Sequence, residues 1–275
     1  MIFDDTLCEL GEGPFWHPER QQLFWFDILN HRLHTKGRHW QFDECVSAAG
    51  WIDRDQLLIA SETGLWIFDL EKDEQSLLTV LEADRPETRS NDGRADPWGG
   101  FWIGTMGKKA EPGLGAVWRW HEGQLRKLHP GLTIPNAICF HGTRAYFADT
   151  ARGIVFKQEL DAETGWPSAK KEVFLDLKAD GLNPDGAVTD AEGRFWNAQW
   201  GAGRVACYAP DGTFLLAESF PASQTSCPAF GGEGMDTLFV TSAREGMGAP
   251  EAEAGMTFAR TVAAKGVPAP RVNPW

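Results

Sequence analysis

Glu12 in GEGP, Asn91 in RSNDG, Asn136 in IPNA and Asp185 in NPDG are the residues of this chain whose types and spacing point to chemistry. Each stands 10 to 13 residues before a large aromatic residue, at Trp25, Trp102, Tyr146 and Trp196. A similar count of 11 leads back from Leu58 to Ser47 and from Phe239 to Pro228. If the six markers are equivalent, four of six repeats bring a carboxylate or a carboxamide to one rim. A buried polar ring of that kind is costly unless it is hydrogen-bonded or holds a cation. Oxygen donors with no His or Cys among them suit a hard divalent ion such as Ca²⁺, Mg²⁺ or Mn²⁺. Taken singly, each residue reads first as an Asx-turn or strand-entry residue. Their common register is what favours a site.

The elements that must position them are repeats. The segments LFWFDI (23–28), QLLIAS (56–61), GFWIGT (100–105), RAYFAD (144–149), RFWNAQ (194–199) and TLFVTS (237–242) share one shape. Their markers are spaced by 33, 44, 44, 50 and 43 residues, the period of four-stranded propeller blades rather than of helical repeats. A propeller brings the start of every innermost strand to one end of a central channel. The fifth repeat shows the unit most fully: PDGAVTD, a turn, RFWNAQW, GRVACYA, a PDG turn, then TFLLAESF. The polar stretch LEKDEQSLL (70–78) reads as the hairpin between the third and fourth strands of the second unit. Residues 2–10 read as a fourth strand without its own blade, and the last repeat lacks one. Pairing the two ends closes the ring and removes an open edge. The expectation is an all-β, six-bladed propeller filling residues 1–275 as one domain.

Thirteen Trp and 17 Phe suit the flat spaces between adjacent blades. A formal charge of −13 argues against nucleic acid or an anionic membrane, which bind basic surfaces, and for a small solute. No basic-then-apolar leader and no long apolar run is visible, so a cytoplasmic protein is expected. Five widely spaced cysteines without a CxxC pair read as buried reduced thiols. The seven histidines fall outside the proposed rim, and no motif supports a Ser-His-Asp triad.

GEGPFW (11–16), TRSNDG (88–93) with ADPWGGFWIGTMG (95–107), TIPNAI (133–138), NPDG (183–186), CPAFGG (227–232) with DTLFVTSAR (236–244), and KGVPAPR (265–271) resemble, in order, the regucalcin (senescence marker protein)/gluconolactonase family. The resemblance implies one divalent metal ion in the channel of a six-bladed propeller that hydrolyses sugar lactones. It implies Glu12, Asn136 and Asp185 as metal ligands, Asp185 also as the catalytic residue, and Arg89 and Asn91 as substrate contacts. The last two are spaced i, i+2, so an extended segment points both to one side. One departure stands out. A family acid that contacts the sugar aligns here with Lys109, and Glu111 lies two residues further on.

The leading expectation is therefore metal-dependent hydrolysis of an aldonolactone, such as a glucono-, xylono- or arabinono-lactone, to its open-chain acid. The ion is left open among Ca²⁺, Mg²⁺, Mn²⁺, Zn²⁺ and Fe²⁺. Lys109, placed as a substrate contact, opens the alternative of an anionic lactone, an aldarolactone or a sulfo-sugar lactone. A non-lactone ester or phosphotriester on the same metal, and a non-catalytic metal-binding propeller, are further alternatives. The expected assembly is a monomer or weak homo-oligomer.

Overall fold

A computed structural model describes residues 1–275, and it contains six four-stranded antiparallel sheets, five of them meanders of consecutive strands and the sixth completed by the N-terminal strand. The one helical element is a single 3₁₀ turn at Thr150–Arg152, and no helix is long and apolar enough to cross a membrane. The innermost strands are Gly11–His17, Val46–Trp51, Thr88–Ala95, Pro135–His141, Asn183–Thr189 and Thr225–Gly231. Each pairs with one of the six repeated segments, now Gln22–Asp27, Gln56–Ser61, Phe101–Gly107, Arg144–Asp149, Phe195–Trp200 and Thr237–Ser242. Residues 70–73 form the turn between the third and fourth strands of blade two, as the polar composition predicts.

Packing between sheets is aromatic. Trp25, Trp102, Trp120 and Tyr146 are among the largest fully buried side chains, and pairs such as Trp102 with Phe140 and Trp196 with Phe230 meet edge to face. Each such side chain contributes roughly 1.5–3 kcal/mol by leaving water. All five cysteines are buried and unpaired.

The ring closes as expected, but with a shorter strand. Only Ile2–Asp4 joins the last blade, as its outer strand beside Thr257–Thr261. Residues 5–10 are not the continuous strand expected, because the chain must cross from the rim of blade six to the channel. Along that path the Cys8 N–H donates to Gly255 O, and the Glu9 and Leu10 N–H groups donate to the Asp27 carboxylate. The C-terminal tail runs under the opposite end of the channel. The Gly266 N–H donates to Met235 O, Trp51 Nε1 donates to Ala269 O, and the Asn273 N–H donates to Gly99 O.

Every inner strand breaks register near its start, between Glu12 and Phe15, Val46 and Ala48, Ser90 and Gly93, Asn136 and Cys139, Pro184 and Ala187, and Thr225 and Pro228. Such bulges re-aim side chains. They also correct one expected position. In blade six the bulge holds Ser226 and Cys227, while Pro228 pairs with Val240 as Ala187 pairs with Asn197 in blade five. Thr237 is the first paired residue of its strand and Phe239 the third, whereas Trp196 is second, so counting back 11 from Phe239 stops short of the bulge.

Candidate metal and lactone site

Glu12 and Asn136 reach the rim by one route, and Asn91 and Asp185 by another. The first two are the last paired residues before their bulges, and the residue that follows each is left-handed, Gly13 at φ 52° and Ala137 at φ 58°. Glycine takes that conformation freely, whereas alanine pays roughly 1–2 kcal/mol. Asn91 and Asp185 are instead the first residues inside their bulges. Within one route the offsets still differ, 13 for Glu12 and 10 for Asn136, because four residues separate His17 from Gln22, two separate His141 from Arg144, and Trp25 stands one place further along its strand than Tyr146.

The result is a cavity of about 490 Å³ at the mouth of the channel. All six residues singled out from the sequence line it: Glu12, Arg89, Asn91, Lys109, Asn136 and Asp185. All but Lys109 are buried by their own neighbours. No histidine lines the cavity.

Directed hydrogen bonds join them. Arg89 Nη1 donates to Asn91 Oδ1 at 2.8 Å, and Asn91 Nδ2 donates to Asn136 Oδ1 at 2.9 Å and to Pro135 O at 3.0 Å. Asn136 Nδ2 donates to Thr150 Oγ1 at 2.9 Å, and that hydroxyl donates to Pro184 O at 2.6 Å. Glu12 Oε2 accepts the Gly13 N–H at 2.9 Å.

The electrostatics are those of crowded acids. Burial, then the nearby Asp92 carboxylate, pushes the Glu12 carboxyl well above the usual carboxylate range, with the Gly13 N–H, Arg89 and Arg94 opposing. Burial, then Glu12 and Asp92, pushes Asp185 up as well. Asp92, which the register count passed over, is 3% exposed and accepts the Ile138 N–H at 2.6 Å. Glu245, which also lines the cavity, lies in the loop after the last repeated segment and has no counterpart in the inner-strand register. Arg89, Lys108 and Lys109 also line the cavity, yet Glu12, Asp92 and Asp185 form no ion pair with any of them, and carboxylates gathered so, with carboxamide oxygen beside them, fit a hard divalent ion. Glu12, Asn136 and Asp185 have the donor chemistry to hold it.

Two other groups lie within ligand distance of one another, Cys8 with Asp27 and His34, and His31 with Cys45 and Glu62. Neither belongs to this cavity. The Asp27 oxygens are taken by the Glu9 and Leu10 N–H groups and by Asn30 Nδ2, and Glu62 is taken by Lys108 and the Cys45 N–H.

At the mouth, Lys108 pairs with Glu62 at 2.5 Å. Glu111 turns back to accept the Lys109 N–H at 3.1 Å and does not line the cavity. Lys109, exposed and in no ion pair, is left facing the opening.

Fold and site define a class: a six-bladed propeller with an acidic, carboxamide-lined cavity at one end of its channel. Within it, residues 10–244 match the model of the SMP-30/gluconolactonase/LRE-like region, and the chain belongs to that family. It is 34% identical over 288 residues to pentonolactonase XacC of Haloferax volcanii, covering 96% of this chain and 94% of that one. It is 32% identical to 6-deoxy-6-sulfogluconolactonase of Pseudomonas putida over 251 residues, 88% of this chain and 86% of that one. Among solved structures, a calcium-binding protein, regucalcin, from Agrobacterium tumefaciens superposes with a TM-score of 0.96 at 40% identity, covering 99% of this chain and 96% of that one.

Proposed function

We propose that the protein is a metal-dependent sugar lactonase that opens an aldonolactone to its aldonic acid. The observation that supports this most is the meeting of Glu12, Asn136 and Asp185 with Arg89 and Asn91 in one cavity. A bound divalent ion, held by Glu12, Asn136 and Asp185, supplies a Lewis acid for the carbonyl of the cyclic ester. Asp185 takes the proton of the attacking water, which adds to the lactone carbonyl. The ring C–O bond then breaks, and its oxygen leaves as a hydroxyl after receiving a proton. Arg89, tied to Asn91 Oδ1, presents its remaining N–H donors to the carbonyl or ring hydroxyls, and Asn91, whose two N–H groups are taken by Asn136 Oδ1 and Pro135 O, offers the spare lone pair of its Oδ1 to a hydroxyl. Ca²⁺, Mg²⁺, Mn²⁺, Zn²⁺ and Fe²⁺ are the ions to compare.

Lys109 supports a second reading, a lactone that carries a carboxylate or sulfonate. Unlike Lys108, which pairs with Glu62, it is in no ion pair, and one relative is named for a sulfonated gluconolactone. The charge of −13 fits a small-molecule partner rather than nucleic acid or membrane. We place the whole chain, as one domain, in the cytoplasm as a monomer or weak homo-oligomer.

The test is acid release from neutral aldonolactones, acidic lactones, open-chain esters and a phosphotriester, after chelation and after refilling with each ion. Lactones should be preferred, chelator should abolish turnover, and Asp185→Asn saturated with metal should lose most of kcat because the amide accepts no proton. Chelator-resistant hydrolysis, or near-parental kcat in Asp185→Asn, would overturn the assignment.

A further inference from the structure

The hydrogen-bond chain at the rim has a fixed direction, and its far end is a residue outside the ligand set. Asparagine amides can be placed either way round, and only their partners decide. Two proline carbonyls decide here, because a carbonyl can only accept. Pro184 O lies 2.6 Å from Thr150 Oγ1 and so takes the single Thr150 proton. That leaves the Thr150 oxygen able only to accept from Asn136, at 2.9 Å, so Asn136 must turn its NH₂ group to Thr150. Its Oδ1 is thereby directed to the other side, where Asn91 Nδ2 donates to it at 2.9 Å. At the near end Pro135 O, 3.0 Å from Asn91 Nδ2, holds Asn91 in the matching sense, with its Oδ1 toward Arg89.

We infer that Thr150 is a positioning residue for the metal ion, fixing Asn136 with its oxygen rather than its NH₂ toward the ligand side and tying it to the strand that carries Asp185. This rests on the metal-dependent reading above. Thr150 opens the 3₁₀ turn after the second strand of blade four, while Pro184 belongs to the inner strand of blade five. One hydroxyl therefore couples two ligands from neighbouring blades. Without it the NH₂ group of Asn136 loses its acceptor, and a flipped amide would present N–H donors to a cation. Partners that orient metal ligands typically change metal affinity by about 10–100-fold when removed.

The experiment is a titration of the metal-free protein with Mn²⁺, read by calorimetry and by the loss of free-ion EPR signal. Thr150→Val, nearly the same shape without the hydroxyl, should bind Mn²⁺ about 10–100-fold more weakly. Thr150→Ser should bind like the parent. At saturating Mn²⁺ the valine variant should recover most of its turnover, since Asp185, Arg89 and Asn91 are unchanged. Thr150→Ala, which adds no bulk, tests the same loss should the valine variant fail to fold. Parental Mn²⁺ affinity in the variant lacking the hydroxyl, or equal weakening in Thr150→Ser, would overturn the role of Thr150 while leaving the lactonase assignment standing. A parent protein that binds neither Mn²⁺ nor Ca²⁺ would remove both readings together.

Discussion

Gly186, the glycine of NPDG, gives the sharpest test of how packing holds the candidate base. It follows Asp185 directly, and a methyl group built on it would run into the Cys227 side chain, lying 2.5 Å from Cys227 Cβ and 2.8 Å from Cys227 Cα. Ordinary carbon–carbon contacts are about 3.5–4.0 Å, so Gly186→Ala must drive two inner strands apart by about 1 Å. Rotating the cysteine cannot relieve it, because Cβ and Cα are fixed to the backbone. Overpacking of this kind costs typically about 1–3 kcal/mol. A displacement of about 1 Å at a reacting group can cost about 10²-fold in rate, so kcat/KM should fall by that order. Urea unfolding should show the lower midpoint with an unchanged m value. Cys227→Gly removes two of the clashing atoms, so Gly186→Ala with Cys227→Gly should recover part of both losses. The coupling free energy should exceed about 0.5 kcal/mol, the level at which independent sites stop adding. Parental stability and turnover in Gly186→Ala, or strict additivity of the pair, would refute the claim that Cys227 sets the position of the Asp185 strand.

Three further outcomes are expected. His34, 5% exposed and stacked on Trp25, is held neutral because burial lowers its pKa from 6.5 to about 4, against the pull of Asp27. The unfolded chain therefore takes the proton first, so stability contributed by His34 is full above pH 6.5 and falls as pH drops toward 4. The loss by pH 4.5 is about 2–3 kcal/mol, and His34→Phe, which keeps the stack, should show a shallower acid limb in urea melts; identical limbs would refute it. Deleting residues 1–4 removes the outer strand of the last blade and the Phe3 ring packed on Phe239 at 4.9 Å. The truncated protein should lose at least about 2 kcal/mol, and a melt like the parent's would break the closure argument. Lys109→Met should lower kcat/KM for an acidic lactone far more than for a neutral one, with a preference that shrinks as salt rises; equal effects would leave a plain aldonolactonase.

The blades and the rim were legible in the sequence for the same reason. Inner strands of a propeller start at a common end, so Glu12, Asn91, Asn136 and Asp185 fall 10 to 13 residues before their markers although the segments around them differ. What the spacing could not carry was the bulges. Strict alternation sends Asp92 away from Asn91, yet both lie within the irregular stretch between Ser90 and Gly93, and Asp92 is felt by Glu12 and Asp185. Thr150 and Glu245 escaped notice because they come from connections outside the inner strands, where no register exists to count.

Blade six shows what the missing rim donors mean. It brings Ser226 and Cys227 to the register where blade five brings Asp185 and Gly186, so it offers no carboxylate or carboxamide, and the Ser226 hydroxyl is taken by Gly11 O and Thr241 Oγ1. It lies between the strand of Asp185 and that of Glu12, and it touches both. Ser226 Oγ donates to Gly11 O at 2.5 Å, immediately before Glu12, and Cys227 fills the space beside Gly186, immediately after Asp185. Small side chains serve here because a larger one would widen the gap between Glu12 and Asp185, across which, on the proposed metal-dependent reading, the two acids share one ion. Blade six is also the blade completed by the N-terminal strand. Closure of the ring and spacing of the acids are thus one structural requirement, and a truncation that loosens the first should weaken metal binding before it unfolds the chain.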